Sequence, residues 1–199
     1  MSVGYDASVG KLDHSSYDLL ASESRIASFV AIAKGDIPQE AWFHLGRRHT
    51  LYKGEHVLMS WTGTMFEYLM PTLWMRDYPD TIMHRSMEAA VRVQRDYARR
   101  KGVPWGISES ACQSDSGADY GYSAFGVPDL AMKRVDRERL VISPYSTFLA
   151  LLVDPREALK NLQRMQEFEW LGRYGFYEAV DYSHAGGQPV RSWMAHHQA

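Results

Sequence analysis

A chain of 199 residues, 45% of them hydrophobic, is long enough to bury one sizeable core, and a formal net charge of −2 leaves no cationic excess of the kind that follows a phosphate backbone. Nucleic acid is therefore not an expected partner. The single cysteine, Cys112, excludes an internal disulfide or a multi-thiolate metal site and reads as a small packed residue.

Residues 1–13 lack the basic-then-apolar pattern of a secretory signal, and charges interrupt every apolar run well short of the roughly 18 residues needed to span a bilayer. Leu19, Leu20, Ile26, Ala27, Val30 and Ala33 then recur at helical spacing and predict an amphipathic helix from about Ser16 to Lys34, closed by Gly35. Shorter helical segments are expected at Pro38–Leu45 and Gly63–Met75. Ile82, Met83, Met87, Ala90, Val91 and Tyr97 predict a long helix over Thr81–Lys101, with Asp80 as N-cap and Arg99, Arg100 and Lys101 complementing the dipole of its last turn. A short helix over Pro144–Leu152 follows, and Asp154, Pro155 and Glu157 open another that runs to about Phe168. Alternation never persists long enough to argue a sheet, so the expected class is all-α, a bundle or an α/α toroid. Two connections, Val103–Pro128 and Trp170–Pro189, are long and rich in Gly, Pro, Ser and rings, which points to function and not to disorder.

Three glutamates lie in segments of little helical period: Glu67 in SWTGTMFEYLMP, Glu109 in PWGISESA and Glu178 in GRYGFYEAVDY. Glycosidic cleavage needs one carboxyl held protonated and a second group acting as base or nucleophile, and apolar rings raise the pKa of the first. The apolar faces of sugar rings also suit Trp and Tyr platforms. A glutamate on a short helix is more often a solvated or N-terminal charge, and Trp42, Phe43, Trp61 and Trp74 are read as core before subsites. Adjacent His196 and His197 diverge and do not resemble a metal pair; His44 and His49 lack an HExxH context. No metal or other cofactor is expected. GISES falls one residue short of a GxSxG nucleophile elbow, and no glycine-rich phosphate loop is present.

The strings YDLLASESR (Tyr17–Arg25), FVAIAKGDIPQEAWFHLGR (Phe29–Arg47), LMSWTGTMFEYLMP (Leu58–Pro71), VPWGISESA (Val103–Ala111), FGVPDLAMKR (Phe125–Arg134), VISPYSTFLALLVDP (Val141–Pro155), GRYGFYEAVDY (Gly172–Tyr182) and VRSWMAHHQ (Val190–Gln198) closely resemble the glucoamylase-like domain of bacterial cyclic β-1,2-glucan synthases. The resemblance implies an (α/α)6 toroid, of which residues 1–199 would be a partial fragment of a single catalytic domain. It further implies a soluble domain of a larger multidomain, inner-membrane-associated enzyme, on its cytoplasmic side. There it would act on β-1,2-glucan and cyclise it by transglycosylation with glutamate acid/base chemistry. An endo-β-1,2-glucanase-type hydrolase and a non-catalytic glycan-binding module are the alternatives. The resemblance places the catalytic acids among Glu109, Glu178 and Glu67, and sugar contacts at Trp105, Tyr120, Tyr122, Phe125, Arg173, Tyr174, Tyr177, Asp181 and His196. After GISESA the sequence departs from the family pattern, with Gly121 where glutamine is usual and Asp129 where glycine is usual.

Overall fold

In the computed structural model, which describes residues 2–114, 119–183 and 186–198, the longest apolar stripe of the sequence becomes a helix of 20 residues, Ile82–Lys101. Its N-cap is Thr81, whose hydroxyl accepts from the His84 N–H at 3.1 Å; Asp80, the expected cap, sits one residue earlier at φ 64°. Gly102 ends the helix at φ 75°. A second helix, Pro155–Glu167, opens as expected, with the Asp154 side chain accepting from the Glu157 N–H. The helix expected from Ser16 begins only at Arg25 and ends at Lys34. Ahead of it, Leu19 and Leu20 are buried in extended chain, the Leu20 N–H bonding the Gly46 carbonyl at 2.9 Å, while the Ser22 hydroxyl captures the Ser24 N–H at 3.2 Å. Such local side-chain capture competes with helix formation.

With these three and the shorter helices named as α1 (Arg25–Lys34), α2 (Met65–Leu69), α3 (Ile82–Lys101), α4 (Pro144–Leu149), α5 (Pro155–Glu167) and α6 (Ala195–Gln198), much of the chain is still unaccounted for. The remainder corrects the expected fold class. The chain is not all-α, and the (α/α)6 arrangement is not what forms: the fold is mixed α/β, with several small antiparallel sheets between the helices. The strands are β1 (Tyr5–Asp6), β2 (Lys11–Leu12), β3 (His49–Tyr52), β4 (Glu55–Leu58), β5 (Ser110–Gln113), β6 (Tyr120–Ser123), β7 (Val141–Ile142), β8 (Leu171–Gly172), β9 (Gly175–Phe176), β10 (Ala179–Asp181) and β11 (Gln188–Val190). None exceeds four residues, too short for a period-two pattern to register. β3 and β4 pair through a tight turn at Lys53 and Gly54, both at positive φ (49° and 84°). β5 and β6 pair inside the first long connection, and β11, β10 and β7 form a three-stranded sheet in that order, its strands drawn largely from the second.

The core joins Met87, Ala90 and Val91 of α3 to Val57 and Leu58 of β4, Met65, Tyr68 and Leu69 of α2, and Ile142 and Val180 of the three-stranded sheet. Arg25, only 3% exposed, fastens α1 to α2 by donating to the carbonyls of Glu67 at 3.0 Å and Tyr68 at 2.6 Å, and its burial lowers its pKa to about 10. Of the rings read as core, Trp42 and Trp61 are half-buried, whereas Phe43 and Trp74 are exposed. Among the described residues no helix is long and apolar enough to cross a membrane.

Candidate active site

Glu109 ends a segment whose backbone is held by amide side chains from two helices. Asn161 of α5 accepts from the Trp105 N–H at 3.1 Å and donates to the Trp105 carbonyl at 2.8 Å. Gln94 of α3 does the same for Ile107, at 2.8 Å in both directions. Between them Gly106 adopts φ 120°, and a Cβ there would stand 2.7 Å from Ser146 Oγ of α4. This glycine is needed for close approach as well as for its backbone angle. Ser108, the residue of the incomplete nucleophile motif, is fully buried: its hydroxyl accepts from the Phe66 N–H at 3.0 Å and lies 2.9 Å from the Tyr145 hydroxyl. Tyr145 also holds the Glu109 carbonyl at 2.9 Å. The chemistry-bearing residue is thus carried by a rigid mount.

The Glu109 side chain is half-buried and takes a hydrogen bond from the Tyr122 hydroxyl. Burial pushes its pKa above the usual glutamate value; the Tyr122 bond and the His197 imidazole oppose that push, and the Glu67 charge adds to it. A carboxyl so placed keeps more of its proton near neutrality.

The other two expected acids are enclosed by protein donors. Glu178, 1% exposed just before β10, brings Oε1 to 2.6 Å from His197 Nδ1, with the Met194 N–H at 3.4 Å from Oε2. Glu67 is the N3 residue of a capping box closed by Thr64, and its carboxylate also accepts from the Ser60 hydroxyl at 2.7 Å, the Trp61 N–H at 2.9 Å and the Thr64 N–H at 3.1 Å. Both fix backbone more readily than they reach a ligand.

The expected sugar contacts divide by burial. Tyr122 and His196 are exposed beside Glu109, their rings 6.5 Å apart. Tyr120 is exposed and accepts from the Arg191 N–H at 3.1 Å. A cavity of about 480 Å³ opens beside Tyr122, bounded by Gln113, Phe125, Arg134 and Arg139. Tyr174 and Tyr177 pack against Trp193 at 5.6 and 5.9 Å, with Arg173 over Tyr174, forming a second aromatic wall. Trp105, Phe125 and Asp181 are buried. Asp181 is fully enclosed, accepting from the N–H groups of Gln113 and Ser183 at 3.1 and 2.8 Å, with Arg139 at 3.5 Å. A more apolar hollow of about 540 Å³, lined by Phe29, Trp42, Phe43, Trp74 and Met75, contains none of the expected site residues.

Two residues enter the site that the sequence reading passed over. Glu23 is half-buried, and burial raises its pKa, with the charges of Glu67 and Glu109 adding to the shift. It lies in the YDLLASESR string, within the stretch whose apolar period predicts a helix. His197, predicted from sequence only as a divergent neighbour of His196, is buried behind Tyr122 and against Tyr145. Among the described residues no group of three or more His, Cys, Asp or Glu side chains is arranged to hold a metal ion.

Comparison with known proteins adds relatives to this geometry. The Glycoamylase family, described as "Putative glucoamylase", matches residues 15–199. The cyclic β-(1,2)-glucan synthase NdvB of Rhizobium meliloti (strain 1021) is 44% identical over 99% of this chain, which spans only 7% of that protein's length. Among solved structures, an endo-β-1,2-glucanase mutant of Talaromyces funiculosus in complex with β-1,2-glucan superposes with a TM-score of 0.72 at 19% identity, over 90% of this chain and 39% of that one. The endo-β-1,2-glucanase of Chitinophaga pinensis, bound to sophorotriose and glucose, gives a TM-score of 0.59 at 17% identity, over 81% of this chain and 42% of that one. At these identities the likeness is one of fold.

Proposed function

Because the chain belongs to the Glycoamylase family, we propose that it is the β-1,2-glucan-acting part of a longer multidomain, inner-membrane-associated enzyme, and that it cyclises its substrate by transglycosylation. Glu109 is the general acid. The observation that carries this role is its carboxyl: half-buried, with a raised pKa, on a braced backbone and beside the exposed ring of Tyr122. Its proton passes to the glycosidic oxygen as the bond to the anomeric carbon breaks and a carboxylate takes that oxygen's place; a sugar hydroxyl of the same chain then displaces the carboxylate and returns a proton to Glu109, so that the β configuration is kept. Glu23, half-buried and with its pKa raised by burial and by the charges of Glu67 and Glu109, is the second carboxyl group proposed for this step. Glu178 and Glu67 brace the site and are not the proton donor. Tyr122 and His196 beside Glu109, together with Tyr120, Tyr174, Tyr177, Trp193 and Arg173, supply ring faces and donors for the glucan.

Incubation with linear β-1,2-glucan followed by mass spectrometry tests the reading. Rings lacking one water are expected from the wild type, and no turnover from Glu109→Gln. New reducing ends would assign hydrolysis instead, and binding without any change of product would assign a glycan-binding module. Undiminished turnover by Glu109→Gln would remove Glu109 from the acid role.

A further inference from the structure

Two of the rings packed against His197 also hold Glu109. The two side chains are completely buried, with Glu178 Oε1 2.6 Å from His197 Nδ1. The imidazole lies flat on the Tyr145 ring, with centroids 3.7 Å apart and 9° between planes. It also stacks toward Tyr122, at 6.4 Å and 25°, and meets the Phe66 ring at 6.2 Å. Tyr145 grips the Glu109 carbonyl and Tyr122 grips its carboxyl, so one imidazole touches the two tyrosines that hold the same residue at its backbone and at its tip.

A buried ion-pair-like contact is a poor stabiliser by itself, because its desolvation cost offsets its attraction, and such pairs are best explained where they fix a geometry. Here the fixed quantity is the orientation of the imidazole ring. Glu178 accepts from Nδ1, which prevents ring rotation and selects one edge to face away; that edge, Nε2, is buried without a hydrogen-bond partner among the described residues. A histidine serving packing alone has no need of this arrangement.

We infer that Glu178 and His197 form a buried positioning pair for Glu109, in which Glu178 locks the imidazole and the imidazole aligns Tyr145 and Tyr122 on the two ends of the acid. This rests on Glu109 being the proton donor, as proposed above. Neither residue of the pair needs to touch the glucan. The groups facing His197 are Glu178, Tyr145, Tyr122, His196 and, at longer range, Glu109.

The test is made in the full chain. With the imidazole removed in His197→Ala, the tyrosines lose their common contact. The value of kcat per folded molecule is expected to fall about 100-fold, as for a reacting group displaced by about an ångström, with KM within about twofold of wild type. The Tyr122 bond and the imidazole both hold the Glu109 pKa down, so their loosening moves the alkaline limb of the kcat profile to higher pH. The double variant Glu178→Leu, His197→Phe replaces the pair by an apolar side chain and a ring, and restores most of the lost kcat by restoring the stack. Carbon-13 titration of the Glu109 carboxyl reads the same displacement without substrate, as a higher apparent pKa in His197→Ala than in wild type. A wild-type chain inactive on β-1,2-glucan would end the proposed function while leaving that titration to judge the pair. Loss of thermal stability in His197→Ala with an unmoved limb and an unmoved Glu109 titration would reduce the pair to packing and overturn the inference. If His197→Ala does not fold, Glu178→Gln, which keeps volume and an acceptor for Nδ1, must show a smaller shift of the same sign, and no shift overturns it equally.

Discussion

Gln94 of α3 pairs with both backbone groups of Ile107, its Oε1 accepting from the N–H and its Nε2 donating to the carbonyl, each at 2.8 Å. The side chain is 1% exposed and acts as a one-residue strand for a loop that has no strand partner there. Glu109 stands two residues further on.

Replacing Gln94 with Met keeps the volume and removes both bonds. The Ile107 N–H is then left buried without its partner, while the carbonyl keeps the Met65 N–H at 3.2 Å, so urea denaturation is expected to show a destabilisation of about 2 kcal/mol. Turnover per folded molecule falls with it, because the mount of Glu109 loosens. A Gln94→Met variant indistinguishable from wild type in both measurements would show that the bracket is not needed.

Glu109→Gln is expected to stabilise the fold near neutral pH even as it abolishes turnover. Burial favours the neutral carboxyl and raises its folded pKa above 4.5. The unfolded chain therefore releases this proton first, and wild-type stability declines as pH rises from the ordinary glutamate value through the raised one. The Gln variant has no such loss. Thermal melts across the pH range should show the variant ahead at pH 7 and level with wild type in acid; the reverse order at neutral pH would contradict the burial that defines the site.

The helices were legible in the sequence where an apolar stripe and a cap coincided, as in α5, and in α3 where the stripe alone sufficed although Thr81 and not Asp80 is the cap. The stripe over Ser16–Lys34 misled because Leu19 and Leu20 are buried through an extended segment tied to Gly46, a tertiary contact with no local signature. The strands were invisible for a related reason, being two to four residues long and specified by pairing across loops. Of the residues gathered around the candidate site, Glu109 and His196 lie inside the motif strings, and Tyr122 lies between two of them. Glu178, Glu67 and Asp181 lay in the same strings, yet each has its oxygens occupied by donors from elsewhere in the fold, which no single sequence displays. Glu23 and His197 were visible as residue types, but their burial was not.

Glu67→Gln tests that division from the other side. Its carboxylate accepts from hydroxyls and N–H groups of Ser60, Trp61, Thr62 and Thr64. An amide nitrogen in place of one oxygen meets donors where an acceptor is required, and the capping box at the start of α2 is weakened. A destabilisation of about 2 kcal/mol is expected in chemical denaturation. It is opposite in sign to the effect of Glu109→Gln at neutral pH. Equal and stabilising effects from the two substitutions would erase the distinction between a bracing and a reacting glutamate.

Tyr122→Phe isolates the hydrogen bond that the Glu109 carboxyl takes from the Tyr122 hydroxyl. Burial and the nearby Glu109 charge push the Tyr122 hydroxyl well up from its ordinary pKa, so it stays protonated throughout the working range and acts as a donor to the carboxylate. That bond favours the ionised form of Glu109 and partly offsets its burial. Without it the carboxyl holds its proton to higher pH. If the protonated form does the chemistry, the alkaline limb of the kcat profile moves upward in Tyr122→Phe, while the value at the optimum falls because the carboxyl is less well aimed. An upward shift of the acid limb in place of the alkaline one would mean that the active form of Glu109 is the carboxylate, and the acid would have to be sought at Glu23.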